Sequence, residues 1–151
     1  MAYQTIRDLV AHVRKLHRRL RDLVSEAEMR EEDERTALLL EFIDEHESVL
    51  ERAVAAAEQK GGEAVLDTWL QFEQTSELDR AMRQGEPTSS PSGDEIVDHV
   101  LRTENALIRL YELLQGSTSS SSVQTFFASL MELEDSAVRR SARVRLEAGD
   151  L

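Results

Sequence analysis

Four ionisable side chains in this sequence fall where the apolar pattern of a helix would otherwise place a core residue. They are His17, His46, Glu104 and Glu134. Each lies near the middle of a segment whose apolar residues recur every three or four positions, so each is expected on the buried stripe of its helix. A carboxylate that is buried alone is costly or takes up a proton. The sequence therefore predicts one layer in which two imidazoles and two carboxylates meet.

Two kinds of chemistry would satisfy such a layer. In the first, each glutamate accepts a hydrogen bond from a histidine or from the Tyr111 hydroxyl, together with a buried water molecule. In the second, the layer binds a metal ion, because two imidazole nitrogens and two carboxylates suit Fe(II), Mn(II) or Zn(II). The metal ligands would then be His17, His46, Glu104 and Glu134. The pattern leaves both interpretations open, and it predicts no catalytic residue and no organic cofactor.

The elements that must position these residues are four long amphipathic helices. The apolar spacing places them at about 4–29, 33–59, 94–115 and 122–146. The charged corner REEDER separates the first two helices, and GSTSSSS separates the last two. Gly61 and Gly62 form a C-terminal signal, so the second helix is predicted to stop before them.

A long connection, about 60–93, joins the two helix pairs. Its first part, EAVLDTWLQFEQTSELDRAMRQ, is predicted to form a short helix anchored by Trp69, Leu70 and Phe72. Its second part, GEPTSSPSGD, is the clearest break in the chain because it is rich in turn-forming residues.

Two antiparallel hairpins joined by a long crossover make a known four-helix-bundle topology. An internal repeat supports this division, since HVRKLHRRLRDL from His12 and HVLRTENALIRL from His99 share a histidine, a valine and two leucines at matching positions. The sequence thus predicts one all-α domain over 1–151, an up-down bundle with hairpins at about 4–59 and 94–146.

The composition restricts the classes of partner. The formal net charge is −12, which argues against a protein that binds nucleic acid or an anionic membrane surface. The basic cluster from Arg14 to Arg21 is expected to pair with the acidic residues from Asp44 to Glu51 on the neighbouring helix. No apolar run approaches the length of a membrane span, and the sequence has no cysteine, so a cytoplasmic location is expected.

Three segments of the sequence carry a family resemblance: EIVDHVLRTENALIRLYELL, FFASLMELEDSAVRR and LLLEFIDEHESVLERA. They resemble, in that order, the third, fourth and second helices of the ferritin-like superfamily, and in particular of its rubrerythrin-like branch. In the third helix Glu104 matches a ligand glutamate that is followed seven residues later by a tyrosine, here Tyr111. In the fourth helix Glu134 matches a second ligand glutamate. The resemblance implies the bundle fold and assembly into a dimer or a larger oligomer.

The chain also departs from the family's di-iron site, which takes a glutamate from each of two helices and a Glu-x-x-His pair from each of the other two. Three residues after Glu134, where the pattern has a histidine, this chain has Ala137, and three residues after Glu45 it has Ser48. In the first helix the repeat places His17 where a glutamate is expected. The resemblance therefore implies a degenerate di-iron site.

The function expected from the sequence is a non-catalytic ferritin-like scaffold or interaction protein that self-associates. Trp69 and Phe72 are the candidate contact surface. The alternative is a protein that binds iron, manganese or zinc at a remodelled His/Glu site in the middle of the bundle, with redox chemistry at a single ion. A hydrolytic enzyme is a weaker interpretation, because the serines lie in loops without a nucleophile elbow.

Overall fold

The computed structural model describes residues 3–71 and 91–149. Four helices account for most of them and pack against one another. They are α1 (Ile6–Arg30), α2 (Glu34–Leu66), α3 (Gly93–Gly116) and α4 (Ser121–Gly149). The predicted all-α class with four packed helices is confirmed. In the described part of the chain, no helix has both the length and the apolar character needed to cross a membrane.

Local side-chain chemistry determines where three of the helices begin. Thr5 caps α1 in a capping box, in which Asp8 N–H donates to the Thr5 hydroxyl and Thr5 N–H donates to the Asp8 carboxylate. Asp33 caps α2 by accepting from the backbone N–H of Thr36. Ser92 caps α3 in the same way. The REEDER corner thus separates α1 from α2 as predicted.

The double glycine interrupts the second helix as predicted, because the backbone at Gly62 is not helical, but a short helical segment that was not predicted follows it. The helix bends at Gly62, where φ is 78° and ψ is 163°, and then continues to Leu66. Only glycine adopts this backbone conformation readily, because it has no Cβ. Gly61 contributes differently, since a Cβ there would lie 3.0 Å from ring atoms of Phe126 on α4. The two glycines therefore allow a bend and a close helix contact.

Two short strands, which the sequence analysis did not predict, lie at the ends of the first hairpin. β1 (Tyr3–Thr5) pairs antiparallel with β2 (Trp69–Gln71), with Gln4 opposite Leu70. The predicted crossover helix therefore does not extend through Trp69, and this side chain is 68% exposed and does not anchor the core. Phe72 and the rest of the predicted crossover helix lie outside the described residues.

Ion pairs join α1 to α2 along their length. Arg7 near the start of α1 contacts Glu63 near the end of α2, whereas Arg21 farther along α1 contacts Asp44. Arg18 and Arg21 both contact Glu51, so the predicted pairing of the basic and acidic clusters is confirmed at these positions. These pairs are partly exposed, so each stabilises the fold only modestly.

Contacts between α3 and α4 follow the same order. Gln115 near the end of α3 donates to the Gln124 carbonyl near the start of α4, and Arg145 near the end of α4 pairs with Asp98. Gly93 at the start of α3 lies against Glu31, just beyond the end of α1.

Candidate functional site

One ionisable side chain from each helix meets the others in the interior of the bundle. The four are His17 on α1, Glu47 on α2, Glu104 on α3 and Glu134 on α4, and each is no more than 1% exposed. The structure therefore brings together three of the four predicted residues. The fourth position in the layer belongs to Glu47, which the sequence analysis did not select, and His46 is not buried there.

The prediction that His46 lies on the buried stripe of α2 is wrong, because the buried position is the next one, Glu47. The buried stripe of α2 consists of Leu39, Leu40, Ile43, Glu47, Leu50 and Val54. His46 is half-buried beside this stripe, and its ring stacks on Phe42 with centroids 5.7 Å apart and planes 6° apart. Burial lowers the pKa of His46; the charge of Glu47 opposes this and that of Arg140 adds to it, so the ring is neutral at physiological pH.

A signal for Glu47 does exist in the sequence. Leu40, Ile43, Leu50 and Val54 frame position 47 with alternating steps of three and four residues. This is the spacing of a helix that packs along a narrow seam. The wider stripe through Leu39 and Ala53 fits position 46 as well, and one residue corresponds to a rotation of about 100° about the helix axis.

His17 is the centre of the layer because both of its ring nitrogens contact carboxylates. Its Nδ1 lies 2.7 Å from Glu47 Oε2, and its Nε2 lies 2.8 Å from Glu134 Oε1. Burial disfavours the charged ring, but the charges of Glu134 and Glu47 outweigh burial and raise the pKa of His17 well above its usual value. His17 is therefore an imidazolium that donates one hydrogen bond to each carboxylate.

The three carboxylates divide into two states. Burial raises the pKa of Glu104 well above its usual value, and its hydrogen bond to Glu47 and the nearby charges of Glu47 and Glu134 raise it further. Burial alone would also raise the pKa of Glu47, but the charge of His17 and the hydrogen bond from Glu104 lower it. Glu104 is thus protonated, and its O–H donates a hydrogen bond to ionised Glu47.

Glu134 and Tyr111 complete the buried polar group. Burial raises the pKa of Glu134 even though the charge of His17 acts in the opposite direction. Burial and the charge of Glu134 raise the pKa of Tyr111 well above its usual value, so this phenol keeps its proton. One oxygen of each of the three carboxylates, and the Tyr111 hydroxyl, are buried without a hydrogen-bond partner among the described residues.

This arrangement can store protons and can compensate one buried cation. Its donor atoms, one imidazole and three carboxylates, are of the kinds that bind iron, manganese or zinc. Both nitrogens of His17 are engaged by carboxylates, so a metal ion would have to replace one of these hydrogen bonds. Within residues 3–71 and 91–149, no group of three or more histidine, aspartate or glutamate side chains is arranged to hold a metal ion.

The positions three residues after the buried glutamates do not match the Glu-x-x-His pattern of a ferritin-like di-iron site. Three residues after Glu47 is Leu50, and three residues after Glu134 is Ala137. Both are buried in the hydrophobic core. A scan against protein-family models, a search of the curated proteins and a search of the solved structures each found no match to this chain.

Proposed function

We propose that this chain is a non-catalytic ferritin-like bundle that acts as a scaffold or interaction protein and self-associates. The observation that carries the proposal is that Glu47 and Glu134 both bind His17. Each of these glutamates is followed three residues later by an apolar core residue. A ferritin-like di-iron centre needs a histidine at both of those positions. The interior polar groups therefore serve the fold, and function lies on the surface.

The helix contacts support the ferritin-like topology within this proposal. In each hairpin the start of one helix contacts the end of the other, as Arg7 does with Glu63 and Gln115 with Gln124. Gly93 lies beside Glu31, so α3 starts near the end of α1. Two antiparallel hairpins joined by a long crossover account for all of these contacts.

A second candidate function is the binding of one divalent metal ion by the interior layer. It is favoured by the excess of carboxylates, because three of them face a single imidazole and each has an oxygen without a partner among the described residues. His17, Glu47, Glu104 and Glu134 would have to move from the arrangement described above to hold the ion, and a neutral His17 would replace the imidazolium. The ion would supply the positive charge that protons supply in the first proposal. His46, which belongs to the predicted ligand set, stacks on Phe42 and has no part in this candidate.

Metal reconstitution separates the two candidates. The protein is stripped with a chelator, incubated with Fe(II), Mn(II) or Zn(II), desalted and measured by elemental analysis, with Glu104→Gln as the matched variant. The scaffold proposal expects the same background metal content in both proteins. If the layer binds metal, we expect about one ion per chain in the native protein and loss of that ion in the variant, because a carboxylate ligand is removed. That second result would overturn the scaffold proposal.

A further inference from the structure

A surface groove lies between α2 and α4, on the face where these two helices pack. Its volume is about 850 Å³. Its apolar lining includes Ala53, Ala56, Ala57, Val65, Phe126 and Leu133. Three of these six are alanines, and the α4 wall also carries the small hydroxyl side chains of Ser121, Ser122, Thr125, Ser129 and Ser136, so another chain can approach the helix backbones closely.

One further apolar side chain of α2 lies beside the groove. Val49, one turn before Ala53, is 49% exposed. Leu38 near the start of α2 is also exposed, but exposed Glu45 lies between it and Val49 on the same side of the helix. Val49 therefore extends the apolar lining of the groove by one turn.

The charges of the groove are balanced, whereas those of the whole chain are not. The described residues that line the groove include one cation, Lys60 on α2, and one anion, Glu132 on α4. The chain as a whole carries a formal net charge of −12. Two copies of such an acidic protein repel each other at most relative orientations. A face with balanced charge is therefore where two copies can meet at the lowest electrostatic cost.

The helix directions make this face self-complementary. Glu47 and Glu134 both contact His17, and Gly61 lies against Phe126, so α2 and α4 run in opposite directions along the groove. Lys60 and Glu132 lie on opposite walls. A two-fold axis through the groove between them brings Lys60 of each copy opposite Glu132 of the other copy, which is the reciprocal contact of a symmetric dimer.

We propose that two copies of this chain form a symmetric dimer through the groove between α2 and α4, with Lys60 and Glu132 as reciprocal ion pairs and Val49 as an apolar contact. This inference rests on the self-association in the proposed function and assigns a face to it.

A first experiment places a charge on the apolar part of the face. Val49→Asp and the matched control Leu113→Asp are compared with the native protein by sedimentation velocity over a range of concentrations. Leu113 is 50% exposed on α3, so the two changes carry the same charge at equally exposed sites. The dimer dissociation constant is expected to rise at least about tenfold for Val49→Asp and to stay unchanged for Leu113→Asp. Equal effects of the two variants would overturn the assigned face.

A second experiment tests the reciprocal pairs. Lys60→Glu and Glu132→Lys are each expected to weaken the dimer, because each brings like charges together twice. An equimolar mixture of the two variants is expected to recover dimerisation, since both pairs are then of opposite sign. Circular dichroism checks that each variant retains its helices. No recovery in the mixture would contradict the proposed pairs.

The outcomes separate this inference from the proposed function. A native protein that stays monomeric at all concentrations overturns both the dimer and the self-association. A native protein that dimerises with no response to any change in the groove overturns only the assigned face. The metal content of the interior layer is measured independently and bears on the scaffold proposal alone.

Discussion

At the scale of single residues, the central feature is a buried positive charge on His17 that depends on neighbouring carboxylates. His17 is fully buried as a cation and is neutralised by Glu47 and Glu134. Burying an ion pair is costly, and removing one partner costs more because the other charge remains unpaired. The layer is therefore expected to respond very differently to changes at its ionised and at its protonated carboxyl groups.

Glu47→Gln and Glu104→Gln form a matched pair that tests this difference. Glu47→Gln removes one of the two carboxylates that face His17 and leaves Glu134, so it is expected to lower the free energy of unfolding by about 1.5–3 kcal/mol, the usual cost of losing a charged hydrogen bond. Glu104→Gln replaces a protonated carboxyl with an amide that also donates a hydrogen bond, so a change within about 1 kcal/mol is expected. Urea denaturation at neutral pH measures both. Similar costs for the two variants would contradict the assigned protonation states.

The same assignments predict how stability depends on pH. The pKa values of His17 and Glu104 are raised above their usual 6.5 and 4.5, so the folded protein binds more protons than the unfolded chain above these values. The contributions of these two groups are therefore lost as the pH rises through their folded pKa values. The pKa of Glu47 is lowered, so its contribution to stability depends on pH in the opposite direction and is lost as the pH falls below 4.5.

The free energy of unfolding is accordingly expected to be higher at pH 6 than at pH 9. The slope is at most about 1.4 kcal/mol per pH unit for each proton released. Glu104→Gln is expected to reduce the slope, because glutamine has no proton to release in this range. A stability that rises from pH 6 to pH 9 in the native protein would contradict the protonation states assigned to the layer.

Three residues of the layer could be predicted from the sequence because each interrupts a clear apolar stripe. His17, Glu104 and Glu134 occupy positions that only a buried polar group explains. Glu47 could not be chosen with the same certainty, because α2 has apolar residues on both sides of its stripe, and a shift of one residue exchanges it for His46. The hydrogen bonds that distinguish Glu47 from His46 come from His17 on α1 and Glu104 on α3, which are distant in the sequence.

At the scale of elements, α2 shows how far a local signal reaches, because the predicted interruption at the double glycine is present but the short helical segment after it was not predicted. Two successive glycines are a reasonable stop signal, since glycine commonly ends helices. The helix resumes after Gly62 because Val65 and Leu66 are buried in the core and hold the last turn in place. The other predicted helix limits agree with the structure to within a few residues, because apolar periodicity and caps are local properties.

Gly62→Ala tests the bend. The backbone of Gly62 has φ of 78°, and a Cβ would meet no atom within 4 Å, so only backbone strain opposes the substitution. A loss of about 1–3 kcal/mol in the free energy of unfolding is expected. Gly116→Ala on α3 is the control, since its Cβ also meets nothing, and it is expected to be neutral or slightly stabilising. Equal effects of the two changes would show that Gly62 is helical in solution.

The two strands mark the limit of prediction for elements. Each has only three residues, and the partner of β1 lies more than sixty positions away, at the end of the first hairpin. An isolated pair of this length has little stability of its own. It forms because the packing of α1 against α2 brings its two segments together, and no local pattern carries that information.

At the scale of the whole molecule, the main electrostatic feature is the net charge of −12. The arginines of α1 neutralise part of it through ion pairs with Asp44, Glu51 and Glu58, but these pairs are partly exposed and individually weak. The remaining repulsion acts over the whole surface. Salt is therefore expected to stabilise this protein by screening that repulsion.

Thermal unfolding in increasing NaCl tests this balance. Between about 20 mM and about 500 mM NaCl the midpoint is expected to rise by about 2–4 °C, which corresponds to about 1 kcal/mol for a chain of this size. Sucrose at equal osmolality is the control for effects that do not depend on charge. A midpoint that falls with salt would mean that the ion pairs between helices outweigh the net repulsion.

The most direct measurement of the central claim is the protonation of His17 in solution. Nitrogen-15 NMR of histidine-labelled protein distinguishes an imidazolium from a neutral ring, and the chain has only four histidines, with His17→Gln as the assignment control. At pH 8 we predict an imidazolium signal, with both ring nitrogens protonated, that disappears in His17→Gln. A neutral ring at His17, or a His17 nitrogen signal displaced by a bound metal ion, would contradict the hydrogen-bonded layer proposed for the centre of the bundle.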